Sequence, residues 1–461
     1  MARKDYTKRN FILGVLNGTL VNFGMAFIDP YTVLPVFMIQ LGASDFMVGL
    51  TSALAGAGWF LPQMFVARIA EARKYLVNIY RGTTVLRVSA WAGVALSVAF
   101  LDPARYRLYL FSFIAFYLTA NLGAGLAAVP FLEITSKTIP FTRRGTFFGT
   151  RRFLGGLLGV FAGLLVGVIL NTGGGIRWQG KFLHELVAGF AGSAGLSGRP
   201  FPENFGILFL LGGGLLSLGL IIFCFVGEPP SQAAGSPPGV FDHLRRGLKL
   251  LRDDRNYMRF YLARISWQFT AMAFPFYSLY AYKNLGFSGD SVGVFVSLWV
   301  GSGVVSNYVW GRLLDRKGNK LVLVATAVLS LFPPAVILAM EHFPALGAPD
   351  GSWRLFGLVS STFFVNGFIR SGRLISNLTY LLEFAPVEKR PLYVGFMNSF
   401  TFPFMLSPAI GGFLIEVFSL STLFLLSAFF ALLNIFISSR LKEPRDDFAA
   451  NGASNRRNDL P

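Results

Sequence analysis

The sequence predicts an all-α integral membrane protein: twelve transmembrane helices arranged as two pseudo-symmetric six-helix bundles. The first observation behind this is composition, since 53% of the 461 residues are hydrophobic and only 14% are charged. Soluble domains carry about a quarter charged residues, so much of this surface is not built to meet water. The second is that the charges fall in short bursts separated by apolar segments long enough to cross a hydrocarbon core of about 30 Å. The third is internal repetition. LGASDFMVGL at Leu41 to Leu50 returns as LGFSGDSVGV at Leu285 to Val294, and Pro140, Arg144 and Gly149 return as Pro386, Arg390 and Gly395. A membrane protein of two such repeats places its substrate site at their interface and works by rocking one half on the other.

The expected spans of the first half are 11–41, 44–67, 76–101, 107–136, 146–170 and 205–227. Those of the second are 257–285, 288–313, 321–343, 354–384, 392–416 and 420–439. Residues 1–227 and 257–440 are then the two bundles, 228–256 a linker and 441–461 a disordered tail. The linker opens with EPPSQAAGSPPG, rich in Pro, Gly and Ser as a hinge requires. It continues with Phe241, Leu244, Leu248 and Leu251 at helical spacing and Arg245, Arg246, Lys249, Arg252 and Arg255 largely opposite, the pattern of an amphipathic helix on the inner leaflet. The external connection, Asn171 to Asn204, is Gly-rich, and WQGKFLHELVAGF within it could form a short interfacial helix.

A net charge of +18 raises the question of a nucleic-acid partner, but most of the 41 Lys and Arg lie in the two tails and the even-numbered loops. The positive-inside rule reads this as topology, with both termini cytoplasmic in a bacterial plasma membrane and anionic lipid as the contact. The first apolar run is too long for a cleavable signal. One Cys and three scattered His leave no basis for a metal site, and no phosphate loop, nucleophile motif or dinucleotide fingerprint occurs. No cofactor and no enzymatic activity are expected.

After span 8 the loop reads GRLLDRKGNK, and here the chain resembles the major facilitator superfamily, whose cytoplasmic signature has the form GxxxDRxGRK. Gly311, Asp315, Arg316, Gly318 and Lys320 match, and Asn319 replaces a basic residue. The corresponding first-half loop is degenerate: Ala67 stands for the Gly, Glu71 for the Asp and Ala72 for the Arg. The resemblance implies a conformational latch in which Asp315 meets the start of span 5 near Thr146, where helix N–H groups attract a carboxylate. It also implies that spans 2, 5, 8 and 11 form the contact between halves, and small residues recur on them: Gly155, Gly159, Gly163 and Gly167; Gly293, Ser297 and Gly301; Gly49, Ala53 and Ala57; and Gly395, Ser399, Pro403, Ser407 and Gly411. Spans 1, 4, 7 and 10 would line the cavity.

Ionisable groups in hydrocarbon are costly and ask for a reason. Span 10 carries Arg370 and Arg373 with Asn366, span 7 carries Arg264 and Gln268, and span 4 carries Asn121. These are the candidate substrate-binding residues. Because guanidinium pairs with carboxylate or phosphate, they point to a small anionic solute. Asp29, which interrupts span 1 in FIDPYTVLP beside Pro30 and Pro35, is the candidate for proton coupling, with Glu133 as a more peripheral one. Its repeat-mate is Ala273. For Arg373 a structural pairing is the alternative, and for Asp29 a permanent ion pair. Arg87, in span 3, would reach inward to an acid. The reading is a monomeric secondary active transporter, with an exporter of amphipathic drugs or lipids, or a transport-incompetent sensor, as alternatives.

Overall fold

The structure is a computed structural model that describes residues 7–63, 65–66, 69, 73–100, 105–171, 188–189, 191–230, 240–343, 353–386 and 389–445. Glu71, most of the external WQGKFLHELVAGF segment, most of the Pro/Gly/Ser hinge and the tail beyond 445 lie outside the described residues.

Span 1 is Thr7–Phe27 followed by Val33–Gln40, span 2 contains Asp45–Phe60, span 3 is Val77–Ala99, span 4 Tyr106–Thr138, span 5 Arg144–Leu170 and span 6 Glu203–Phe223. A linker helix, Val240–Asp253, leads to the second half. There span 7 runs through Arg255–Ala271, Phe274–Leu279 and Tyr280–Asn284, span 8 is Gly289–Lys317, and span 9 is Asn319–Leu329 with Phe332–His342. Span 10 is Trp353–Phe384, span 11 is Arg390–Thr401, Phe402–Leu406 and Ser407–Val417, and span 12 is Leu420–Ser439. Four of the breaks fall at prolines, Pro30, Pro275, Pro333 and Pro403, where a missing N–H interrupts the helical ladder. Large apolar side chains such as Phe111, Leu210 and Phe429 stay exposed on the outer surface, as lipid contact requires.

The repeated motifs are repeated devices. Gly42 and Gly286 both take positive φ, 78° and 68°, which turns the chain before Ser44 and Ser288 open spans 2 and 8 in extended N-cap conformation. Arg144 Nε donates to the carbonyl of Ile139 at 3.2 Å, and Arg390 Nε to that of Ala385 at 3.3 Å, each bracing the residue before the paired prolines. A further correspondence is Glu-Pro after spans 6 and 12. Glu228 accepts from the N–H groups of Leu76 and Val77 at 2.7 Å each, opening span 3, and from Lys137 Nζ at 2.7 Å. Glu443 accepts from Lys320 N at 2.9 Å, opening span 9. Gly318, with φ of 83°, gives that carboxylate its room: a Cβ there would lie 2.5 Å from it.

The two halves meet along two seams. Gly163 and Gly167 of span 5 face Gly293 of span 8 backbone to backbone, Ser297 Oγ donates to Val160 O at 3.0 Å, and Gly289 packs on Leu170. On the other side Gly49 lies against the Pro408 carbonyl and Gly412 against that of Asp45, joining spans 2 and 11. Both seams run toward the end of the bundle opposite the termini and linker. Polar bridges reinforce that far end: Gln40 Nε2 donates to Tyr282 Oη at 2.7 Å, Phe46 N to Glu416 Oε1 at 2.8 Å, and Lys283 stands 3.7 Å from Asp45. Toward the linker end, a Cβ added to Gly149 of span 5 or Gly311 of span 8 would meet no neighbouring element within 4 Å among the described residues. The bundle is sealed at its far end and splayed at the linker end.

The linker helix does not use its apolar side for lipid alone. Gly247 presses on the Phe396 ring and Leu251 is buried among second-half residues, so the helix is docked on that half, with Arg245, Arg246, Lys249 and Arg252 exposed and Leu248 outward.

Because a methyl group on Gly293 would strike the backbone of Gly163 and Gly167, Gly293→Val is expected to destabilise the folded protein by about 1–3 kcal/mol. Gly311→Ala meets open space and should leave the melting temperature in detergent near wild type. Equal melting temperatures for the two variants would show that the seam does not carry the assembly.

Candidate functional site

Asp29 sits in the break of span 1, where Pro30 and the turn to Val33 interrupt the helix. Its Oδ1 accepts from Tyr31 N at 2.9 Å, Thr32 N at 3.0 Å and Thr32 Oγ1 at 2.9 Å, while Val33 and Leu34 N–H groups donate to its carbonyl at 3.2 and 3.1 Å. The carboxylate is thus held in an Asx-type turn that closes the break just before the short second helix of the span, Val33–Gln40. Half-buried, it lies within electrostatic reach of Arg370 on span 10 and near the buried Tyr117 of span 4. In the second half, the same break holds Ala273, which is fully buried and carries no charge.

Arg370 is exposed at the middle of span 10 and makes no hydrogen bond or ion pair among the described residues. A bare guanidinium halfway along a spanning helix is affordable only where water reaches it. Its charge acts on Asp29, on Tyr31 and on Arg152 of span 5. Above this group, on the sealed side, Tyr31, Phe274 and Trp299 pack ring on ring with centroids 5.4–5.7 Å apart, and the Tyr31 carbonyl accepts from Ser278 Oγ at 3.1 Å. Arg370, Asp29 and the Tyr31, Phe274 and Trp299 rings thus lie together where the two halves face each other.

Not every residue singled out in the sequence joins this cluster. Arg373, one turn beyond Arg370, points the other way: it is buried, its Nη2 donates to Asn434 Oδ1 of span 12, and its guanidinium lies 4.9 Å from the Trp267 ring. Asn434 Nδ2 in turn donates to the Ala263 carbonyl at 2.5 Å, so the group ties spans 7, 10 and 12 together. This is the structural pairing, made with an amide and a ring instead of an acid. Asn366 is buried with its Nδ2 unpartnered. Asn121 is half-buried, donating to Tyr117 O at 2.8 Å and packing on Gly58 of span 2. Arg264 and Gln268 are half-buried on span 7. The titratable neighbour of Arg264 is Tyr257, with no carboxylate paired to it among the described residues, and the Gln268 carbonyl accepts from Ser407 Oγ at 2.8 Å. Glu133 is exposed twelve residues along span 4 from Asn121, about 18 Å at helical rise, which separates it from Asp29's level.

The expected latch takes a different form here. The Asp315 side chain is exposed and makes no hydrogen bond among the described residues, and its carbonyl accepts from Arg445 Nη1 at 2.9 Å. Arg316 is exposed, Gly311 stands open, and Gly318 and Lys320 are engaged by Glu443 of the same half. The motif thus braces its own bundle while the linker end is splayed. Arg87 also departs from expectation: it lies half-buried against Gly123 of span 4 with Tyr80 as its titratable neighbour and Nε unpartnered, and no acid reaches it among the described residues.

Sequence reasoning did not single out Arg151 and Arg152, although both fall inside the expected span 5 at 146–170. The helix begins at Arg144, so both stand about two turns inside it. Arg151 donates from Nη2 to Asn17 Oδ1 at 3.0 Å and lies 4.5 Å from the Phe131 ring, a first-half counterpart of the Arg373 arrangement. Arg152 is exposed yet surrounded by protein on most sides, as a residue lining a cleft would be. The RR pair's distance from Pro140 was the available signal.

Fold and cleft together define a polytopic helical membrane protein of the transporter type, two repeated bundles around a charged central opening. Residues 259–458 match the Major Facilitator Superfamily. Over 95% of its length the chain superposes on a point mutant of the nucleoside transporter NupG, covering all of that chain with a TM-score of 0.67 at 12% identity. It also superposes on a D-xylose-proton symporter, with a TM-score of 0.66 at 15% identity over 95% of this chain and 99% of the other. The second half is thus similar in sequence to the Major Facilitator Superfamily, and the whole chain shares the fold of these two transporters. Among curated proteins it is similar to multidrug resistance protein MdtG of Dickeya zeae, 26% identical over 200 residues, or 40% of this chain and 46% of that protein. The matched region spans less than half the length of that relative.

Replacing Asn434 with Leu strands a buried guanidinium, and is expected to cost about 1–3 kcal/mol in thermal unfolding. Arg370→Gln removes an exposed, unbonded group and should unfold near the wild-type temperature. Should the order be reversed, the division of labour between Arg370 and Arg373 is wrong.

Proposed function

We propose that the protein is a secondary active transporter that carries a small anionic solute by alternating access, with Arg370 binding the solute and Asp29 taking and releasing the coupling proton. The observation that carries this reading is an exposed, unpaired Arg370 in a central cleft beside the carboxylate of Asp29. The positive-inside pattern supports a cytoplasmic position for the linker end, which makes the described state open to the cytoplasm, and supports anionic lipid contacts along the exposed basic face of the linker helix. An anion entering from that side meets a positive wall before it meets the Tyr31, Phe274 and Trp299 rings. Burial in a closed cleft would favour the neutral acid at Asp29, while Arg370 favours the ionised form, so solute that occupies Arg370 releases Asp29 to accept a proton. The protein works in this reading as a monomer, without a cofactor.

A second reading, export of amphipathic compounds, is favoured by the likeness to MdtG, named for multidrug resistance, and by the Tyr31, Phe274 and Trp299 surface. The retained fold also permits a sensor that binds without transporting.

In proteoliposomes, organic anions that raise the melting temperature of the purified protein are expected to be taken up, and Arg370→Gln is expected to weaken their binding by tenfold or more, as loss of a charged hydrogen bond worth about 1.5–3 kcal/mol predicts. Unchanged affinity would remove the anion assignment, and stabilisation by lipophilic cations alone would favour the exporter. Binding without flux under any gradient would favour the sensor.

Asp29→Asn is expected to keep solute exchange while abolishing accumulation driven by a pH gradient. Accumulation at the wild-type level would exclude coupling through this carboxylate.

A further inference from the structure

Arg152 is the strongest feature that the proposed mechanism does not use. It lies on span 5 one turn before Gly156, which packs against Val304 of span 8. At the adjacent residue of span 8, a Cβ added to Gly303 would lie 3.7 Å from the carbonyl of Gly367, and Gly367 precedes Arg370 by about one turn of span 10. Span 8 thus has an arginine from the first half near one flank and an arginine from the second half near the other, at the same level. Both are exposed, and neither makes an ion pair or hydrogen bond among the described residues. They lie near enough for their charges to act on each other.

The carboxylate at this level is Asp29, whose Oδ1 is already committed to two N–H groups and a hydroxyl of its own turn. Of the two guanidiniums only Arg370 acts on this acid, which is anchored to the backbone of its own turn, and no carboxylate acts on Arg152 among the described residues. A single negative charge brought in by a solute satisfies one arginine and leaves the other facing a positive neighbour.

We propose that Arg152 is the second cationic contact of the solute site, so that the preferred solutes are small organic dianions, phosphate monoesters or dicarboxylates, gripped by one arginine from each half. This rests on the anionic reading above and sharpens it. A dianion between the two halves replaces repulsion across the cleft with two attractions, each carried by a guanidinium whose planar fork suits carboxylate or phosphate. It also gives the rocking of one bundle on the other a contact that exists only when solute is present. The bland alternative is that Arg152 serves as one more basic residue of the linker end, reaching for water or lipid phosphate. Its place about 12 Å along the helix from Arg144 sets it apart from the loop cations.

The test uses purified full-length protein and matched probes that differ by one charge: succinate against its monomethyl ester, and glycerol phosphate against its methyl diester. Binding is read by thermal stabilisation for the wild type, Arg152→Gln, Arg152→Lys and Arg370→Gln. For at least one pair the wild type is expected to prefer the dianion by about tenfold. Arg152→Gln should erase that preference by weakening the dianion while leaving the monoanion within about twofold, Arg152→Lys should restore part of it, and Arg370→Gln should weaken both members. Whichever pair shows the preference distinguishes phosphate from dicarboxylate. An undiminished dianion preference in Arg152→Gln overturns the inference and leaves the anionic reading standing. If none of the four probes stabilises the wild type, both fall together.

Discussion

The backbone-to-backbone seam of Gly163 and Gly167 against Gly293, with its partner at Gly49 and Gly412, is the constraint from which the rest of this structure follows. Lipid gives no hydrophobic drive for helices to associate, so helices in a membrane hold together by close packing and hydrogen bonds. Here the glycines permit approach at one end of two helix pairs, and the polar bridges Gln40–Tyr282 and Phe46–Glu416 fall at that same end. Sealing one end splays the other. The cleft this leaves is where Arg370 and Arg152 remain wet, and a wet cleft is the condition on which unpaired guanidiniums inside a membrane protein can exist at all.

The buried arginines make the converse point. Arg151 and Arg373 also lie within spans, yet each is enclosed by its own bundle, hydrogen-bonded to an asparagine and set against an aromatic ring. A guanidinium spreads its charge over a plane and is more weakly hydrated than an ammonium, which lets an amide and a ring face stand in for a carboxylate. Each group fastens helices within one half, Asn17 reaching on to the Gly219 carbonyl and Asn434 to that of Ala263. The halves can then move as bodies because their internal contacts are directional while the contacts between them at the linker end are sparse.

Much of the fold was legible because repetition leaves marks that physics can read. Gly42 and Gly286 announce turns with positive φ, and Arg144 and Arg390 announce the braced entry to spans 5 and 11. The Glu-Pro pair at Glu228 and Glu443 was equally repeated, but its meaning depends on which helix start lies beside it, and that is a tertiary fact. The site was legible only in part. Apolar context revealed that Arg370 and Arg373 are unusual, yet two residues three positions apart on a helix differ by most of a right angle, and sequence does not say which one faces the cleft. Arg152 falls inside the expected span 5 but was not singled out, because it lies about two turns from Arg143 and Arg144, near the start of that span. Asp315 shows the limit of a motif, since its match is nearly complete while its side chain rests unbonded in the state described.

Symmetry and its violation together locate the chemistry. Span 1 and span 7 break at corresponding places, each beside a proline, so the scaffold offers the same opening twice. In one copy the break holds Asp29 and its hydrogen-bonded turn; in the other it holds the buried methyl of Ala273 beneath Phe274 and Trp267. The charges are likewise unmatched on the corresponding helices of the two halves, since span 10 carries Arg370 where span 4 carries Tyr117 and Asn121. A duplicated bundle with identical sites would bind two solutes or none preferentially. One acid in the first half and one arginine in the second make a single polar site that belongs to neither bundle, and any change in the distance between the bundles changes the interaction between those two groups. In the proposed mechanism the rocking motion and the electrostatics between the halves are for that reason one coordinate, not two.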